Sequence, residues 1–205
     1  MNLENNMNPL SNAGVFLVST LFGLYILAIM LRLILQMVRA DFYNPVSRFI
    51  VKITNPPLKP LRRFIPGFAG IDMASVIVML ALQMLEFFII TLMRNFPTPD
   101  ILGLTLYALV ELVTLGFYVF LFSIFILALL SWINPGQYNP INNLLHQISE
   151  PVLRPARKFL PPMSGMDLSP MLAIVGLWLI KLLLLDPLGH WAKGMMYPAA
   201  RVIMN

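Results

Sequence analysis

The chain has 205 residues, of which 59% are hydrophobic and 11% charged, with a formal net charge of +5. A soluble globule of this length carries about a quarter charged residues to cover its surface, so the composition excludes a water-soluble enzyme. With no cysteine, disulfide frameworks, thiolate metal sites and thiol catalysis are excluded as well.

A helix crossing a bilayer needs about 20 predominantly apolar residues. In chain order, residues 1–14 form a polar tail and Val15 to Val38 form the first predicted span. That span is not expected to be a cleaved signal peptide: no Lys or Arg precedes it, and its apolar region is too long. Ala74 to Met93 is the second span. The run from Ile101 to Ile133 exceeds one crossing, so Gly116 to Ile133 is predicted to cross and Ile101 to Leu115 to be an interfacial or tilted lead-in. Pro170 to Leu188 is the fourth. The expected organisation is a tail (1–14), a first repeat (15–95), a connector (96–115), a second repeat (116–190) and a C-terminal tail (191–205).

Most of the fourteen Lys and Arg residues lie between spans one and two (Arg39, Arg48, Lys52, Lys59, Arg62, Arg63) and between spans three and four (Arg154, Arg157, Lys158). Positive charge marks the cytoplasmic side, so both loops are expected there and both termini on the periplasmic side. Lys193 and Arg201 in the C-terminal tail dissent mildly.

Shifting the chain by 95 residues aligns Tyr43–Asp72 with Tyr138–Asp167 without a gap, with 12 of 30 positions identical. Unrelated segments would match at about two; the halves are copies. In each copy an Asn-Pro pair, Asn44-Pro45 and Asn139-Pro140, reads as a helix start, the Asn capping orphan amides and the Pro preset for the first turn. Val46, Phe49, Ile50 and Ile53, and likewise Ile141, Leu144, Leu145 and Ile148, fall at i, i+3, i+4, i+7. Polar residues take the opposite face: Ser47, Arg48 and Lys52 in one copy, Asn142, Asn143, His146 and Gln147 in the other. The spacing predicts amphipathic helices of about eleven residues, suited to lie in the membrane interface. Pro56, Pro57, Pro60 and Pro66, with Pro151, Pro155 and Pro161 in the second copy, then predict a break and a short helical turn starting near Pro60 and Pro155. Leu61, Phe64 and Ile65 can dip into lipid there. Lys59, Arg62 and Arg63, with Arg154, Arg157 and Lys158, are expected to meet anionic headgroups. Asp72 and Asp167, each in a Gly-x-Asp step, read as helix N-caps or first-turn acids.

These duplicated blocks, N-P, P-x-L-[KR]-P-x-R-[RK]-F-[IL]-P and G-x-D, resemble the YggT/YlmG family of small bacterial inner-membrane proteins, which has plastid relatives. The resemblance covers residues 20–188. It implies an all-α membrane protein with four transmembrane helices in two tandem parallel repeats, each with cytoplasmic amphipathic interfacial helices between its spans. It also implies a non-enzymatic role in osmotic stress tolerance, ion homeostasis or envelope and cell-division organisation, and in plastid relatives nucleoid distribution and cytochrome haem assembly.

No cofactor or metal is expected. His146 and His190 lie far apart and read as polar-face residues, since metal sites need three or four ligands, and their repeat counterparts Val51 and Asn95 give no paired haem ligands. Membrane lipids and a homo-oligomer or membrane complex are the expected partners, and nucleic acid is not. The alternatives are a channel or transport component formed between subunits, since one chain offers too little intramembrane polarity for a wide pore, or a haem/cytochrome assembly factor, as the resemblance to plastid relatives implies. Two ionisable residues, Glu86 and Lys181, occupy equivalent depths in spans two and four. They either meet across the repeat axis or are satisfied locally, Lys181 by Asp186 and Glu86 by protonation or by Arg94.

Overall fold

A computed structural model describes residues 9–133, 139–160 and 167–197. Their regular elements are all helical: α1 (Pro9–Met37), α2 (Pro45–Leu61), α3 (Met73–Met93), α4 (Ile101–Ile133), α5 (Pro140–Phe159), α6 (Ser169–Ile180), a π-helical turn (Lys181–Leu185) and α7 (Asp186–Met196). Four segments are long and apolar enough to cross a membrane: α1, α3, α4 over Ile101–Leu130, and the stacked α6, π turn and α7 over Ser169–Met196. The chain is a multi-pass membrane protein. Leu17, Leu21, Leu24, Leu182 and Leu183 are exposed along these helices, a pattern suited to hydrocarbon as the outer solvent.

Two apolar clusters hold the bundle. Ile29, Leu33 and Ile34 of α1 pack with Ile50 and Leu58 of α2, Val78 and Met79 of α3, Leu112 and Val119 of α4, and Leu144 and Ile148 of α5. Ile124 and Leu127 of α4 pack with Leu153 of α5 and Ala173 and Leu177 of α6. The other end of the bundle is tied by polar bonds: Ser11 Oγ donates to the Met93 carbonyl at 3.2 Å, and the Asp100 amide to the Met196 carbonyl at 3.0 Å.

Three boundaries differ from expectation. α1 is already helical at Pro9, the first described residue, well before Val15, and there Ser11 finds a partner on α3. α4 runs through the boundary expected between Leu115 and Gly116 as one 33-residue helix; it holds no proline, and an isolated glycine costs a helix only about 1 kcal/mol. The fourth span runs on past Leu188 to Met196.

The proline-rich blocks hold the largest difference. Instead of breaking, α2 runs through Pro56, Pro57 and Pro60, and α5 through Pro151 and Pro155. No new helical turn starts at Pro60 or Pro155; each lies inside a continuous helix. Of the first copy's prolines after the Asn-Pro start, only Pro66 stands outside a helix, exposed beyond the end of α2 and before the turn at Phe68. A mid-helix proline frees the carbonyl four residues earlier. Pro57 frees that of Ile53, and the Tyr25 hydroxyl of α1 donates to it at 3.4 Å. The buried face of α2 is also rotated from the expected one: Ser47, Ile50, Thr54 and Leu58 are buried, while Phe49 is 62% exposed. Small Ser47 and Thr54 admit close approach to the bundle, and Phe49 is left outside. In α5 the buried residues are Leu144, Ile148, Ser149, Leu153 and Ala156, and Ile141 faces out. Pro161, the counterpart of Pro66, lies outside the described residues, as do parts of both tails.

Candidate functional site

α2 and α5 sit at the same end of the bundle and start alike. Asn44 Oδ1 accepts the Val46 amide at 2.9 Å, and Asn139 Oδ1 accepts the Ile141 amide at 2.9 Å, with Pro45 and Pro140 opening the helices. The two copies touch here. Asn44 Nδ2 donates to the Pro140 carbonyl at 2.7 Å, and the Asp41 amide to Gln147 Oε1 at 3.2 Å.

Each copy closes with the same ion pair. Arg62, which caps the C-terminus of α2, donates through Nε (3.1 Å) and Nη2 to Asp72 Oδ2, at the N-cap of α3. Ser75 Oγ donates to the same oxygen at 2.5 Å. In the second copy Arg157 Nε donates to Asp167 Oδ2 at 3.1 Å, Arg157 Nη1 to Glu150 Oε2 at 3.0 Å, and the Ser169 amide to Asp167 Oδ1 at 2.9 Å. Both pairs pin the end of an amphipathic helix to the start of the next span. In the first copy the chain passes Pro66 and reaches Asp72 through a tight turn in which Phe68 and Ile71 exchange backbone hydrogen bonds. Ala69 and Gly70 take φ of 51° and 82° there, the left-handed values such a turn requires.

Burial acts to raise the Asp72 carboxyl, but the hydrogen bonds from Arg62 and Ser75 outweigh it and hold the group below the usual carboxylate range. Asp167 is held down in the same way: burial opposes, and Ser169 and Arg157 prevail. Arg157 moves up, the pull of Asp167 and Glu150 exceeding the cost of burial. Arg62 and Arg157, expected to face headgroups, are each engaged by a carboxylate, with about a third of each side chain still exposed. A carboxylate fixed at a helix N-terminus offers a guanidinium a better partner than water. Lys59, Arg63, Arg154 and Lys158 remain exposed, and none has an ion pair among the described residues.

Arg32 stands out among residues whose role the sequence did not reveal. It is only 5% exposed, and its Nη1 donates to Thr54 Oγ1 (2.8 Å), Asn55 Oδ1 (3.0 Å) and the Val51 carbonyl (3.4 Å). Together with Tyr25 it fastens α2 along α1. An arginine in an apolar span signals a required partner, but nothing in spacing names α2 as its source.

The structure does not bring Glu86 and Lys181 together. Glu86 Oε2 accepts from Gln83 Nε2 at 2.9 Å, and Lys181 Nζ donates to Asp186 Oδ1 at 2.7 Å. Lys181 also lies 5.5 Å from the Trp178 ring centre and 5.9 Å from that of Tyr118. Both charges find partners a turn away on their own span, which requires no inward convergence. Beside Lys181, a cavity of about 240 Å³ is lined by Tyr107, Glu111, Tyr118, Asp186, His190 and Lys193 among others. Among the described residues, no group of three or more His, Asp or Glu converges as a metal site.

Known proteins share this duplicated plan. The CCB3/YggT family matches residues 11–93 and again 106–188. The chain is 44% identical over 183 residues to an uncharacterised protein of Pseudomonas aeruginosa, covering 89% of this chain and 93% of that one. It is 41% identical to an uncharacterised protein of Vibrio alginolyticus, covering 87% and 96% of the two chains. It is 38% identical to the uncharacterised protein YggT of Escherichia coli K12, covering 83% and 88%. No solved structure matches. Two successive matches to one family, each spanning a hydrophobic pair with its linking amphipathic helix, establish that the chain belongs to the CCB3/YggT family.

Proposed function

We propose that the protein is a non-enzymatic organiser of the bacterial inner membrane, assembling with itself or with membrane partners to support osmotic stress tolerance, ion homeostasis or envelope and cell-division organisation. The observation that carries this reading is the joined pair α2 and α5, each pinned by an arginine-aspartate bond to the following span. Fixed helices with exposed Phe49, Ile141 and Phe159 and exposed Lys59, Arg154 and Lys158, continued past the end of α2 by exposed Arg63 and Phe64, suit a membrane-surface platform. The free cations meet anionic headgroups.

The proposed topology has two parallel repeats, with α2 and α5 in the cytoplasmic interface and both termini periplasmic. Helix length supports it. At 29 residues, α1 is about 43 Å long, some 13 Å more than a hydrocarbon core needs, and α2 is bonded to its second half at Tyr25 and Arg32. The test is deletion of the gene in its host, followed by growth after hyperosmotic shock with potassium limiting or replete. A growth defect restored by the intact gene is expected, and growth equal to the parent in every condition would remove the proposed role.

A second reading is favoured by the ionisable groups around the π turn. Glu111, Lys181, Asp186, His190 and Lys193 share one cavity, and intramembrane charges mark ion pathways in transport proteins. Ion flux through liposomes containing only this protein separates the two readings: flux supports a transport component, and its absence supports the organiser.

A further inference from the structure

The end of α1 and the outer face of α2 border an open cavity of about 720 Å³, lined by Arg32, Gln36, Phe42, Arg48, Val51, Lys52, Asn55 and Arg62. Four of these side chains are cationic and none is acidic; Asp72 pairs with Arg62 and also acts on Arg32 through space, but Arg48 and Lys52 have no ion pair among the described residues. Like charges gathered around a partly desolvated space repel one another, and a bound anion relieves that cost. Nη1 of Arg32 makes all three of its hydrogen bonds to α2, so Nε and Nη2 have no hydrogen-bond partner among the described residues. A guanidinium held on one edge and free on the other is preset to grip a tetrahedral oxyanion.

The repeat separates scaffold from site. Shifted by 95 residues, Arg32 becomes Leu127, Arg48 becomes Asn143, Lys52 becomes Gln147 and Asn55 becomes Glu150. Arg62 alone keeps its charge, as Arg157, and there it is taken by Asp167 and Glu150. Orientation in the membrane needs positive charge in a loop; it does not need that charge to converge on a buried arginine in one copy.

We infer that this cavity is a binding site for a phosphate-bearing anion, built on Arg32, Arg48 and Lys52 and present in the first repeat only. The phosphate belongs either to an acidic phospholipid or to a free phosphate. Phe42 and Val51 on the wall accommodate an apolar portion beside it.

The test is calorimetric titration of the full-length protein in a neutral detergent with short-chain phosphatidylglycerol and, separately, with inorganic phosphate. Saturable binding of at least one is expected, weakening about fivefold for each cation removed in Arg48→Gln and Lys52→Gln. Both residues are exposed, so these variants keep the fold even if Arg32→Gln loses it. The control pair Lys59→Gln and Arg63→Gln should leave this binding unchanged. Preference for phosphatidylglycerol identifies the occupant as lipid, and preference for inorganic phosphate identifies a soluble ligand; both support the site. Absence of saturable binding, or wild-type affinity in the Arg48→Gln/Lys52→Gln double variant, overturns it and leaves headgroup contact by Lys59 and Arg63 untouched.

Discussion

Replacing Asp72 by asparagine should destabilise the protein several times more than the same change at Asp167, although the repeat makes the two positions equivalent. The Asp72 side chain is 6% exposed and that of Asp167 35%. Arg62 Nε, Arg62 Nη2 and Ser75 Oγ all converge on Asp72 Oδ2, and a hydrogen bond to a charged group contributes about 1.5–3 kcal/mol. Arg62 is 35% exposed and regains water when its partner is neutralised, so the net cost is about 2 kcal/mol rather than the sum of the bonds. At Asp167 the pair is open to solvent, where such bonds contribute about 0–1 kcal/mol, and asparagine still accepts the Ser169 amide. With about 2–4 °C lost per kcal/mol at this chain length, calorimetric unfolding in one detergent should give losses of about 4–8 °C and about 1–2 °C. Equal losses at the two sites would refute the argument that burial separates the copies.

pH gives a second handle on the same bond. The folded Asp72 carboxyl lies below its unfolded value, about 3.9 for a free aspartate, so its contribution is complete above about pH 4 and is lost as pH falls through the folded value. The gap in melting temperature between wild type and Asp72→Asn should therefore close in acid and persist at neutral pH. Tyr25→Phe, which strands the Ile53 carbonyl beneath Pro57, should cost about 1 kcal/mol in the same melt, and an unchanged melting temperature would show that water replaces the hydroxyl. Double-mutant cycles should find coupling between Lys181→Met and Asp186→Asn and additivity between Lys181→Met and Glu86→Gln; the reverse pattern would restore a charge pair across the repeat axis. Single cysteines at Phe64 and Phe159, in a chain that has none of its own, should label from the same side of the membrane. Labelling from opposite sides would overturn the parallel arrangement.

The parts of the fold legible in the sequence are those governed by long apolar runs and by the duplication. The four spans, the two copies and the Asn-Pro helix starts all rest on local chemistry, which a sequence carries openly. The prolines misled because their effect depends on partners elsewhere: Pro57 forbids one backbone bond wherever it sits, and only Tyr25, far away in sequence, supplies the substitute. The ion pairs of Arg62 and Arg157 were hidden for a related reason. The charge of these arginines suggested headgroups, but the aspartates that claim them lie ten residues on, in the first copy beyond a turn whose geometry the sequence does not reveal. The buried face of α2 was shifted because Ser47 and Thr54 count as polar in a periodicity yet pack closely and, in the case of Thr54, bond to the Ile50 carbonyl at 2.7 Å.

The way each copy satisfies its intramembrane charge also bears on how the halves are joined. Glu86 turns to Gln83, three residues away, and Lys181 to Asp186, five residues away, so neither spends its charge on the other copy. The link between copies then falls on apolar packing of α1 and α3 against α4, and on the contacts of Asn44 with Pro140 and Asp41 with Gln147. A joint made of apolar surface gains little from the hydrophobic effect inside a bilayer, where lipid is as apolar as leucine. The polar contacts at the α2 and α5 end, together with the Thr91–Tyr197 hydroxyl bond of 2.6 Å at the other end, therefore carry the specificity that fixes one repeat against the other. Both sets lie at the ends of the bundle, and with Asn44 and Thr91 buried breaking either contact leaves a buried polar group unsatisfied, which costs more than the bond itself contributes.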